Sequence, residues 1–172
     1  MKMFVTVAAM AALLITPSLA RAQKVTTDFD DKAPFASYKT YRWTTGTPSP
    51  NPLGESRIHD AVEASMAKAG FTKAAGTPDV VIATHAIAKE QKELYTTGGY
   101  GYGARWGGGM STTQVNTYVQ GTLVLDMYDA KTKELAWRAT GTDTMSDKAD
   151  KNTTKVVKAL DKMFKQYPPK KK

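Results

Sequence analysis

From Val115 to Tyr128 the chain alternates: Val115, Thr117, Val119, Gly121, Leu123, Leu125 and Met127 point one way, while Asn116, Tyr118, Gln120, Thr122 and Asp126 mostly point the other. A period of two puts successive side chains on opposite faces of a strand, so the segment predicts a strand with one apolar face. Asp129 to Lys133 reads as a hairpin connection, and Glu134 to Met145 as the return strand, with Leu135, Trp137 and Ala139 on its apolar side. Upstream, Val80-Val81-Ile82-Ala83 opens an apolar run that continues through Ile87 towards Leu94 and Tyr95. Its β-branched start predicts a strand with a buried middle and a charged, exposed far end at Lys89 to Glu93. Two shorter strands are expected at Lys24 to Asp30 and Tyr38 to Thr44, separated by Asp31-Lys32-Ala33-Pro34. In the second, Tyr41 and Trp43 share one face and Tyr38, Thr40 and Arg42 the other.

Helical spacing appears twice. Ile58, Val62, Met66 and Ala69 form one stripe over a helix from about Glu55 to Ala69, preceded by a proline-punctuated loop at Gly46 to Pro52. Gly70 can take the left-handed stop conformation, and Phe71 behind it can fold back on Met66. A second helix, from about Thr153 to Tyr167, carries Val156, Leu160, Met163 and Tyr167 on one stripe beside Val157 and Phe164. Asn152 is its expected cap and Pro168-Pro169 its stop. Two amphipathic helices and a half-buried, mostly antiparallel sheet have an economical solution: a two-layer α+β domain with both helices on one face.

The first 22 residues stand outside that pattern. Lys2 precedes a nearly continuous apolar run from Phe4 to Leu14, Pro17 breaks it, and Ala20-Arg21-Ala22 offers small residues where a signal peptidase requires them. The run is too short for a bilayer core, which takes roughly 20 apolar residues. Residues 1–22 are therefore expected to be a signal peptide cleaved between Ala22 and Gln23, leaving a single domain at 23–172 in the periplasm or secreted, with a short basic tail at 168–172. Losing Lys2 and Arg21 lowers the formal net charge from +8 to +6. That basic balance favours an anionic surface as partner. The chain has no cysteine, which excludes disulfides, thiolate metal sites, thiol nucleophiles and a lipid-modified cysteine.

Candidate chemistry is sparse. Gly99, Gly101 and Ala104 satisfy a dinucleotide-binding pattern by letter, but the turn runs into Trp106-Gly107-Gly108-Gly109 and opens no helix. A loop between two strands fits better. Its Tyr100, Tyr102, Arg105 and Trp106 form a candidate contact surface, because aromatic rings bury much area at low entropic cost. His59 and Glu63 could share a helix face, which is half a metal site and reads as a solvent-facing ion pair. Asp28, Asp30 and Asp31 lack the glycine and closing glutamate of a calcium loop. No G-x-S-x-G is present. No catalytic, cofactor-binding or metal-binding residue is assigned.

The residues do resemble a family. Val25-Thr26-Thr27-Asp28-Phe29-Asp30, then Phe35 to Trp43, Arg57-Ile58, Gly70-Phe71, Pro78-Asp79-Val80, Gly121 to Asp126, Trp137-Arg138 and Tyr167-Pro168-Pro169 are similar to the bacterial exported family catalogued as domain of unknown function 4136. The resemblance spans essentially the whole of 23–172. It implies an α+β fold and an envelope location, and it brings no activity and no catalytic residue. Many relatives look like lipoproteins with a cysteine at the cleavage point, where this chain has Gln23.

Taken together, these features favour a non-enzymatic periplasmic or envelope-associated module that binds an envelope protein or an anionic surface. The alternative is a carboxylate-dependent enzyme using Asp28, Asp30 and Asp126. Nucleic acid is not an expected partner, because export removes the chain from most of it and no reader motif is present.

Overall fold

The computed structural model describes residues 23–98 and 111–170. Its strands are β1 (Lys24–Phe29), β2 (Thr40–Trp43), β3 (Thr72–Lys73), β4 (Val80–Gly98), β5 (Ser111–Asp129) and β6 (Leu135–Thr144). Helix α1 (Pro52–Lys68) lies between β2 and β3, and α2 (Ala149–Phe164) follows β6. The strands form one sheet in the order β1-β6-β5-β4-β2-β3. Neighbours are antiparallel except that β2 runs parallel to both β3 and β4. Parallel strands need a long crossover, and the stretch containing α1 supplies it. The two N-terminal strands, adjacent in sequence, therefore sit on opposite sides of the sheet. Tyr38 lies ahead of β2 and is buried in the core, contrary to the alternation read from the sequence.

Both helices cover one face, as the apolar patterning requires. Val62 and Met66 of α1 and Leu160 and Met163 of α2 are fully buried against Val80, Ile82, Leu125, Met127 and Trp137 of the sheet. Gly141 of β6 lets α2 approach: a Cβ there would lie 2.8 Å from Met163 Cε and 3.1 Å from the Ala159 Cβ.

Helix α1 starts at Pro52, three residues before the sequence expectation. Asn51 caps it through Oδ1, which accepts from the Leu53 and Gly54 N–H groups at 3.0 and 3.3 Å. Pro52 then occupies the first helical position, where a missing N–H costs nothing. At the other end Gly70 has φ +88°, the Gly70 N–H reaches Ala67 O, and the Phe71 N–H reaches Met66 O at 3.0 Å. These paired bonds close the helix as Gly70-Phe71 predicted. Helix α2 starts at Ala149 rather than Thr153, so Asn152 is no cap. Its side chain reaches back instead, accepting from the Ser146 N–H at 2.8 Å and donating to Ser146 O at 2.6 Å. The exposed first turn of α2 carries no apolar signal from which its start could be read.

Two carboxylates tie the loops to the sheet. Asp79 Oδ2 accepts from the Thr40 hydroxyl at 2.8 Å and from the Lys39 and Thr40 N–H groups at 3.0 and 2.9 Å. Asp129 Oδ1 accepts from the Thr132 and Lys131 N–H groups, and Oδ2 accepts from the Tyr38 hydroxyl at 2.8 Å. The Thr40 hydroxyl foremost holds Asp79 below the usual carboxylate range, and the Thr132 N–H foremost does so for Asp129. A depressed folded-state pKa adds stability that is present above the ordinary carboxylate pKa and lost as pH falls through the folded value. The urea midpoint is therefore expected to drop between about pH 5 and pH 2. In Asp79→Asn that acid limb should be shallower, and an unchanged limb would show that Asp79 contributes nothing to it.

Candidate functional site

Four small residues hollow the helix-facing side of the sheet. Ala86 and Ala88 of β4, Gly121 of β5 and Gly141 of β6 floor a groove of about 220 Å³. Its walls come from both helices, with Ile58 on α1 and Val156 and Ala159 on α2. The helices run in the same direction, because an ion pair between Lys68 and Asp161, 3.8 Å, joins their C-terminal ends. The small floor leaves the layer open towards the other end of the helix pair. On the rim, Lys155 Nζ donates to Asp143 Oδ1 at 3.3 Å and to Thr144 O, while Gln23 Nε2 donates to Lys155 O at 2.8 Å. The rim's polar groups thus satisfy one another and leave the interior apolar.

Beyond the groove the sheet narrows to a two-stranded arm. β4 and β5 pair without interruption from Val80↔Asp129 to Gly98↔Ser111. β6 stops at Thr144 opposite Gln120, and on the other side the last described contact is the bridge between Thr47 and His85. The pairs from Glu90↔Val119 outward therefore have no further strand beside them among the described residues, over roughly 30 Å at the usual rise per residue. The face that continues from the groove exposes Val119 (37%), Val115 (55%) and Leu94 (68%). Such a ribbon is marginally stable by itself in water.

The opposite face of the sheet holds the main buried charge. Asp126 is fully buried, and Arg138 directly across the ladder grips it with Nε to Oδ1 and Nη2 to Oδ2, both 2.6 Å. The Tyr128 hydroxyl donates to Oδ2 at 3.2 Å, and His85 Nε2 stands 3.5 Å away. These hydrogen bonds push the Arg138 pKa above its ordinary value. Two of the carboxylates named in the alternative enzyme reading, Asp28 and Asp126, flank Arg138 on neighbouring strands. Asp28 faces Arg138 from the far side in the ladder, so two strand spacings, about 10 Å, separate it from Asp126. Its carboxylate accepts from the Phe29 N–H, and that of Asp30 from the Lys32 N–H in the following turn.

The other sequence candidates fare unevenly. Tyr100, Tyr102, Arg105 and Trp106 lie outside the described residues, as does the expected signal peptide. His59 pairs with Glu55 at 3.0 Å and stacks flat on Trp43 at 4.2 Å, rather than pairing with Glu63. Glu63 instead accepts from Trp43 Nε1 and pairs with Lys73. No group of His, Cys, Asp and Glu that could hold a metal occurs among the described residues. Sequence reasoning missed the groove, whose floor is marked only by alanines and glycines, and the Asp126–Arg138 pair, which is visible only once the hairpin register is known.

The described residues thus form a two-layer α+β domain with an apolar groove and a projecting hairpin. Over residues 25–169 the chain matches the family described as domain of unknown function (DUF4136), and it belongs to that family. The chain is similar in structure to a PDZ domain protein from Parabacteroides distasonis, with 16% sequence identity and a TM-score of 0.57. That match covers 87% of this chain but only 37% of the other, so this chain spans little more than a third of that protein's length. A PelC dodecamer from Paraburkholderia phytofirmans matches with 12% identity and a TM-score of 0.49, over 81% of this chain and 96% of that one. No curated protein sequence matches the chain. Among the described residues no helix is long and apolar enough to cross a membrane.

Proposed function

We propose that this chain is a non-enzymatic binding module of the bacterial periplasm or cell envelope, and that its groove receives an aliphatic group presented by an envelope component. The groove carries this reading. Its volume of about 220 Å³ exceeds the roughly 150 Å³ at which an apolar engineered cavity stays dry and binds benzene. Binding sites are concave and mostly apolar, with a few polar groups at the edge, and this groove has that composition. The basic balance of the chain and the leader-like first 22 residues support an envelope setting. Tyr100, Tyr102, Arg105 and Trp106, in the sequence between β4 and β5, are proposed as further contact residues.

Filling the groove tests the reading. Gly121→Leu adds a side chain where a Cβ would lie 3.0 Å from Met145 Cγ and 3.4 Å from its Sδ, and the exposed Met145 side chain can turn aside. Calorimetric titration with decanoate is expected to show saturable binding to the wild type and at least a tenfold weaker constant for the variant, about 1.4 kcal/mol. The thermal midpoint should stay nearly constant. Equal titration of both proteins, or none by the wild type, would overturn the proposal.

A further inference from the structure

We propose that two copies of this chain join through the outer edge of β4, antiparallel and centred on Gln91, so that their sheets become continuous. The edge is available: beyond Ala86 no described strand lies on that side of β4. A long edge with backbone donors and acceptors facing outward is a template for another strand. Proteins commonly blunt such an edge with charged side chains, especially lysine, which repel when the same sign recurs. Here the charges are not alike. The segment reads Ala88-Lys89-Glu90-Gln91-Lys92-Glu93-Leu94, which reverses sign about Gln91.

Antiparallel reversal about Gln91 sets Lys89 opposite Glu93 of the second copy, Glu90 opposite its Lys92, and Gln91 opposite itself. Ala88 then meets Leu94 of the second copy. Opposed residues share a face, so every pair flanking the self-paired Gln91 is matched by charge or by apolarity, and each such pair stabilises a ladder. Neighbouring registers fail. A shift of one places Lys89 opposite Lys92 or Glu90 opposite Glu93, and like charges directly opposed are destabilising. A shift of two sets Ala88 against Lys92, or Glu90 against Leu94. The pattern thus specifies one register. The outer edge of β5 from Thr112 to Tyr118 carries no charge and specifies none. The pairing also covers Leu94, the most exposed apolar side chain of the arm, and gives the two-stranded ribbon the extra strands it needs for independent stability. It does not depend on what the groove binds.

The absence of cysteine allows a direct test. Facing residues of an antiparallel pair have Cα atoms about 4.5–5.5 Å apart, within the 4.4–6.8 Å that a disulfide spans. Gln91→Cys in the full chain is therefore expected to give a disulfide-linked dimer on mild oxidation. Leu94→Cys should give none, because the two copies of Leu94 stand about 20 Å apart in this register. Equal cross-linking of both variants, or none at position 91, would overturn the proposal. Mass measured by light scattering supplies the second arm. Wild type should have twice the chain mass, while Glu90→Lys with Glu93→Lys, and Lys89→Glu with Lys92→Glu, should each be monomeric. Mixing the two variants should restore the dimer, which rules out misfolding as the cause of its loss. A monomeric wild type, or a mixture that stays monomeric, would refute the pairing and leave the decanoate titration untouched.

Discussion

Replacing Arg138 with methionine is expected to lower the unfolding free energy by about 3–5 kcal/mol, the usual loss when one partner of a buried ion pair is removed. The reasoning runs through Asp126, which has no exposed surface. Both its oxygens are held by the Arg138 guanidinium at 2.6 Å. The remaining neighbours, the Tyr128 hydroxyl at 3.2 Å and His85 Nε2 at 3.5 Å, bring one hydrogen bond and a ring that is cationic only when protonated. Without Arg138 the carboxylate must stay charged in a desolvated site or bind a proton, and either costs stability. The Arg138 side chain is 46% exposed, so solvent screens part of its field and the loss should fall towards the lower end of the range. Asp126→Leu combined with Arg138→Met should recover most of it, because replacing both members of a buried pair by apolar groups is often neutral. Urea unfolding of the wild type, the two single variants and the double variant measures this directly. A cost below about 1 kcal/mol for Arg138→Met would class the pair with ordinary surface bridges.

That pair also marks where sequence reading stops. Strand β5 is legible because its alternation is clean, and Leu123, Leu125 and Met127 are buried as the pattern says. Asp126 falls on the opposite face of the same strand, and alternation alone assigns it to solvent. Its burial follows from Arg138 lying directly across the ladder, a register set beyond an irregularity between Met127 and Tyr128 that skips Ala136. No local pattern encodes that skip. The C-terminal stop of α1 was legible for the opposite reason. Gly70 and Phe71 act on the preceding turn through bonds only a few residues long. The start of α2 was not legible, because exposed residues open it and Asn152, the best capping letter, is used six residues back, on Ser146.

The groove escaped for a third reason. Pattern reading weighs large apolar residues, whereas a groove is made by their absence. Ala86, Ala88, Gly121 and Gly141 look like weak strand positions until the sheet aligns them under the gap between two helices. At the charged end of β4, Lys89, Glu90 and Lys92 are exposed as the pattern says, while Gln91 and Glu93 are half-buried. What one chain's pattern did not reveal is that Lys89 to Glu93 are complementary to a reversed copy of themselves.

Trp137→Ala is expected to cost about 3–5 kcal/mol, the range for deleting a large buried aromatic side chain. Trp137 is fully buried on β6, in register between Phe29 of β1 and Met127 of β5. The Tyr167 ring meets its indole edge-on at 5.4 Å, and Phe164 lies at 5.7 Å. Truncation would therefore leave a cavity where the sheet, the end of α2 and the chain after it meet, with little freedom to collapse. Trp137→Phe separates volume from polarity. The Trp137 Nε1–H is buried with no hydrogen-bond partner among the described residues. An unsatisfied buried donor carries a penalty of about 1–3 kcal/mol, and phenylalanine removes the donor along with part of the ring. The smaller ring loses packing but gains back that penalty, so Trp137→Phe should cost less than about 2 kcal/mol. Denaturant unfolding of both variants gives the ratio. If phenylalanine proved as costly as alanine, the indole N–H would have to be making a bond worth keeping, and the aromatic cluster would be a polar anchor rather than a packing solution.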